Sequence, residues 1–155
     1  MRIVECLAPL VGQWQGVHRQ RLLPTDEFVA SAATATVTVT AREYVSLAYT
    51  WSDGDAPLEG LLLLSGGSGE EGVSAVWLDS WHSSPAWMLF DGTVGDDGVV
   101  RLTGSYAAPE GPDWGWQIFV APIEGEGGGG RMTMLNLVPG EAAYEAVEAV
   151  YDERV

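Results

Sequence analysis

Residues 10–18, LVGQWQGVH, set a tryptophan between two glycines at every second position: Gly12, Trp14 and Gly16. In a β-strand alternate residues share a face, so these three point the same way, one indole between two bare stretches of backbone. Glycines beside an indole let neighbouring chain come close and cover the ring. A tryptophan placed this way in the first strand plugs one end of a barrel, and its role is architecture rather than ligand contact.

The period of two continues along the chain. In ATATVTVT (33–40), Val37 and Val39 share one face and Thr36, Thr38 and Thr40 the other, a strand with one wet side. In YVSLAYTW (44–51), Val45, Leu47, Tyr49 and Trp51 fall together. Turn signals then come at short intervals: SDGDAP (52–57), SGGSGEEG (65–72), HSSP (82–85), GDDG (95–98), APEGPD (108–113), EGEGGGG (124–130) and VPGE (138–141). Each is built of Gly, Pro, Asp and Ser, residues that tolerate positive φ or preset a bend. The segments between them give about ten strands joined by hairpin-length loops, which argues for an antiparallel sandwich or barrel. With no long return connection, the order favours a single up-and-down barrel over residues 1–155.

Two segments stand apart. IVECLAPL (3–10) predicts a short helix ahead of the first strand. EAAYEAVEAVYDERV (141–155) is rich in Ala and Glu and spaces Tyr144, Val147 and Tyr151 as a helix would. A barrel needs its last strand to close on its first, because an open edge invites aggregation, so this segment is expected to be a strand.

These residues carry a resemblance. Gly-x-Trp after a short N-terminal helix resembles the signature of the calycins, the lipocalins and fatty-acid-binding proteins. LAPLVGQWQG is similar to the opening of nitrobindin-like haem proteins. Over most of the chain, LVGQWQG, WLDSW, FDGTVGDDGVVRLTG and the ending YDERV resemble an uncharacterised bacterial family of calycin-like barrels, a domain of unknown function. The resemblance implies an all-β calycin-like barrel. It also implies that a basic residue of the last strand lies across the tryptophan, and here that residue is Arg154. The nitrobindin-like proteins resemble one another in a C-terminal histidine that ligates haem iron. This chain has no histidine after His82, so no haem or other cofactor is expected.

Composition narrows the function. Of 155 residues 46% are apolar, enough for a globular core. The longest apolar run, GLLLLSG, falls far short of the roughly 18 residues a membrane-spanning helix needs. The start MRIVECLAPLVG is too short, and too acidic at Glu5, for a secretion signal. Cys6, the single cysteine, excludes an internal disulfide and fits a reducing compartment, so a cytoplasmic protein is expected. One cysteine and two histidines exclude a Cys/His zinc pattern, and no metal site is expected. The net charge is −15, from 22 acidic residues and seven arginines with no lysine. That leaves no basic stripe for nucleic acid and disfavours anionic membranes. The glycine-rich segments lack the lysine and the following helix of a phosphate loop and read as hairpin tips.

Chemistry concentrates in WLDSWHSSPAW (77–87). Asp79, His82, Ser83 and Ser84 are the residue types of a nucleophile triad, but no Gly-x-Ser-x-Gly elbow is present. Asp79 and Asp91 are a second conceivable acid/base pair, if they flank one cavity. Seven tryptophans exceed the structural need of one small barrel, and an aromatic-lined pocket with few polar groups is the usual small-molecule site. The expected function is therefore binding of a small apolar or aromatic molecule among Trp77, Trp81, Trp87, Tyr106 and Trp116, with Asp79 and His82 as polar anchors. The alternatives are an enzyme using Asp79 and His82 as acid and base, and a structural or partner-binding barrel, such as a homodimer, with a filled interior.

Overall fold

The computed structural model describes residues 1–67 and 72–155. The turn read at 65–72 falls partly outside them, since 68–71 are not among the described residues. A four-residue helix α1 (Ile3–Cys6) and a 3-10 turn (Ala8–Leu10) lead into ten strands. These are β1 (Gly12–Gln20), β2 (Val29–Thr40), β3 (Tyr44–Asp53), β4 (Ala56–Gly66) and β5 (Val73–Asp79), then β6 (Met88–Val94), β7 (Val100–Tyr106), β8 (Trp114–Pro122), β9 (Gly130–Leu137) and β10 (Tyr144–Arg154). Each strand pairs antiparallel with the next and β10 pairs with β1, closing an all-β, up-and-down barrel without edges. Among the described residues no helix is long and apolar enough to cross a membrane.

Alternation places the core. Val45, Leu47, Tyr49 and Trp51 of β3 all point inward and are buried, as their spacing requires. In β2 the threonines face water while Ala33, Ala35 and Val37 turn inward. The segment 141–155 forms strand β10, not a helix.

One end of the barrel is filled. The 3-10 turn brings the Leu10 carbonyl to the Trp14 indole N–H, which donates to it at 2.8 Å. Arg154 lies over the same ring, 4.2 Å from its centroid, and its guanidinium donates to the Val11 and Pro9 carbonyls at 3.2 and 3.4 Å. The glycines of the opening stretch make this possible. Gly12 holds φ +131°, which side-chain-bearing residues avoid, and a Cβ there would sit 2.7 Å from Arg154 Nη1. A Cβ on Gly16 would overlap the Val150 carbonyl of β10. Ile3, Cys6, Leu7 and Leu10 are buried at this end. The gap left among Trp14, Val37, Leu47 and Met132 is only about 10 Å³, room for one water at most.

Candidate functional site

The other end of the barrel is open. Strand β5 alternates Val73, Ala75, Trp77 and Asp79 inward. Residues 80–87 then cross the mouth before β6 begins. Trp116 of β8 also points inward, and its ring stacks on Trp77 with centroids 5.6 Å apart and planes 9° from parallel. Together with the crossing segment these rings enclose a cavity of about 820 Å³. Its walls include Trp77, Trp81, His82, Trp87, Tyr106 and Trp116, with Ser83, Ser84, Asn136, Tyr144 and Arg21. Six of the seven binding residues read from the sequence thus meet at one cavity. Trp87 sits at the rim, 69% exposed, and Trp77 in the floor, 1% exposed.

Asp79, the seventh, stands behind the wall. Its Oδ1 accepts the backbone N–H groups of Trp81 and His82. Its Oδ2 accepts His82 Nδ1–H at 2.7 Å and the Tyr49 hydroxyl at 3.2 Å. Tyr49 in turn accepts the Trp77 indole N–H at 2.7 Å. Gly60 makes room for this contact, since a Cβ there would overlap the Tyr49 ring. Burial raises the Asp79 carboxyl's pKa, but the hydrogen bond and charge of His82 and the two backbone N–H groups outweigh it and leave the pKa below the usual value. Asp79 is therefore ionised near neutrality. Burial, then the Asp79 charge, hold the Tyr49 phenol well above its usual range.

His82 Nε2 is buried and has no hydrogen-bond partner among the described residues. No serine supplies one: Ser83 Oγ instead accepts the Asp79 backbone N–H at 2.8 Å. The residue types of a triad are present without a contact between hydroxyl and base. The pairing of Asp79 with Asp91 is corrected outright. On β6 alternation turns Phe90 inward and Asp91 outward, where it is exposed and near Ser74 on the outer face.

Sequence reasoning missed His18. Counting by twos from Trp14 reaches it and Gln20, and both side chains are buried inside the barrel. The His18 ring stacks on Trp51, centroids 4.8 Å apart, and its Nε2 lies 3.2 Å from Gln20 Oε1. Burial lowers its pKa to about 4. The relay along the opposite wall was also unread. Tyr106 donates to Asn136 Oδ1 at 2.6 Å, Asn136 Nδ2 donates to the Tyr144 oxygen at 3.1 Å, and Tyr144 donates to the Leu22 carbonyl at 2.6 Å. The first and last of these links join residues far apart in sequence, and no local pattern marks them.

Fold and site together define a class: a closed ten-stranded antiparallel barrel, filled at one end, with an aromatic cavity at the other. Within that class the chain belongs to the family described as "Protein of unknown function (DUF1579)", whose model matches residues 4–153. No curated protein matches the chain. The crystal structure of Rv2717c from M. tuberculosis is similar, with a TM-score of 0.61 and 15% identity over 98% of this chain and 97% of that one. At that identity the likeness is one of fold.

Proposed function

We propose that the barrel binds a small apolar or aromatic molecule in the cavity at its open end. The observation that supports this is the cavity itself, about 820 Å³ walled by Trp77, Trp81, Trp87, Tyr106 and Trp116. Its size falls in the range of small-molecule sites, and its aromatic rings share the lining with the polar groups of His82, Ser83, Ser84, Asn136 and Arg21. The filled opposite end supplies a rigid base. The contact of Trp14 with Arg154 supports counting the barrel among the calycins, as the resemblance of its sequence implies. The single cysteine supports a cytoplasmic location.

The test is a titration with an apolar fluorescent probe and with naphthalene, read by tryptophan emission and by melting temperature. Stability rises with probe concentration if the folded state alone binds. Replacing Trp116 or Trp87 by alanine weakens binding by about 1–3 kcal/mol for whichever ring carries the contact. No thermal shift from any apolar probe would overturn this reading.

A second reading, acid/base catalysis, is favoured by the 2.7 Å contact of Asp79 with His82, which orients the imidazole as a general base requires. The two readings part on Asp79→Asn. Turnover of a substrate would be abolished under the second, whereas binding would weaken only modestly under the first.

A further inference from the structure

Resting on the binding reading above, we propose that the ligand is a neutral hydroxylated aromatic molecule whose hydroxyl donates to His82 Nε2 after the Trp81 indole moves aside. A carboxylate only accepts hydrogen bonds. Because Asp79 Oδ2 lies 2.7 Å from His82 Nδ1, that nitrogen carries the proton. In the neutral imidazole Nε2 is then an acceptor. It is buried and, among the described residues, unpaired, on a ring that forms part of the cavity wall. A buried acceptor without a partner is costly, so a ligand that brings a donor there is favoured over one that does not.

The route to Nε2 follows from the neighbouring rings. Trp51, Trp77 and Trp116 surround His82 at centroid distances of 6.2, 5.9 and 5.5 Å and are all 6% exposed or less. Trp81 packs edge-on at 4.6 Å and is 36% exposed. It alone of the four has solvent to move into. Trp116 Nε1, a donor, is also buried without a partner among the described residues. A hydroxyl can donate to the imidazole and accept from the indole, which a bare N–H cannot.

Charge disfavours an acid as ligand. Asp79 stands ionised behind the imidazole, and the chain carries −15. Arg21, the one arginine among the described cavity residues, is the counterweight, and it is held in place by donating through Nε to the Glu145 carbonyl and through Nη1 to those of Pro24 and Asp26.

Three probes with one ring system test this: 2-naphthol, 2-methoxynaphthalene and 2-naphthoate. They are titrated by calorimetry and tryptophan emission in one buffer. The expected result is 2-naphthol binding about tenfold tighter than 2-methoxynaphthalene, the order of one hydrogen bond, with 2-naphthoate the weakest. His82→Phe removes that preference, bringing the affinity for 2-naphthol down to that for 2-methoxynaphthalene. Asp79→Asn also removes it, because the amide donates to Nδ1 and turns Nε2 into a donor. This variant keeps an acceptor for the Trp81 and His82 backbone, so it serves if His82→Phe fails to fold. Trp81→Ala tightens 2-naphthol. Equal affinity for the two neutral probes overturns the hydroxyl assignment and leaves the cavity reading standing. So does tighter binding of 2-naphthoate, or a preference that survives both variants. Failure of all three probes to bind overturns both.

Discussion

One hydroxyl organises the wall of the cavity. Tyr49 takes the Trp77 N–H and gives its own proton to Asp79, so the ring that lines the floor and the carboxylate that orients His82 hang on the same atom. Tyr49→Phe leaves the Trp77 N–H and part of Asp79 unpaired in a buried place. The expected loss is about 1–3 kcal/mol in a denaturant melt, and unchanged stability would mean that the network contributes nothing. At the filled end Trp14→Ala costs more, about 3–5 kcal/mol, because the surrounding side chains cannot collapse into the space of an indole. Trp14→Phe lowers stability and leaves probe affinity alone, since the two ends are separate. At this scale the sequence is legible where spacing speaks: Val45, Leu47, Tyr49 and Trp51 share a face by counting, and so does His18 once Trp14 is fixed. It is not legible where a hydrogen bond spans strands. Nothing near Tyr49 in sequence tells that its partner is Asp79, thirty residues away.

Among the elements, β10 explains its own ambiguity. Its pairing with β9 jumps between Glu145 and Val147, a bulge. A bulge inserts one residue and shifts the phase of alternation. Ala146 and Val147 are therefore both buried, and the apolar positions Tyr144, Val147 and Tyr151 end up spaced as in a helix. The need to close the barrel decided the matter, since local propensity favoured the wrong element. Closure also makes Gly16 critical. In Gly16→Ala the new methyl meets the Val150 carbonyl, which is backbone and can yield only if β1 and β10 separate. The expected cost is about 1–3 kcal/mol, as for overpacking a tight core, with faster amide exchange along β1 and β10. Exchange unchanged along that seam would show the strands closing by another arrangement. The segment between β5 and β6 was legible as a concentration of chemistry but not as geometry. Its residue types name a triad, and only the fold shows Ser83 on the backbone of Asp79 rather than on His82.

The whole molecule divides its interior between a packed end and an end with room. His18 is a titratable ring buried inside the barrel. Its pKa inside the barrel is about 4 because burial disfavours the charged ring, against about 6.5 in an unfolded chain. The unfolded state therefore binds the proton first, so acid favours unfolding. Stability from this residue is intact above about pH 6.5, falls as the pH drops below it, and levels off near pH 4. The loss between pH 7 and pH 4 is about 3 kcal/mol. Asp79 acts in the same direction at the lower edge of that window, since its pKa is also depressed. Opposing both, the charge of −15 shrinks as acid is added and relieves self-repulsion. A raw melt against pH mixes these effects, so the decisive measurement is a difference. His18→Phe keeps a ring on Trp51 and removes the titration. Wild type should lose about 3 kcal/mol more than this variant between pH 7 and pH 4 in denaturant melts, with most of the divergence below pH 6. Parallel curves for the two proteins would show that His18 stays neutral in the unfolded chain as well or charges freely in the folded one. The buried stack on Trp51 would then not govern the acid limit of the barrel.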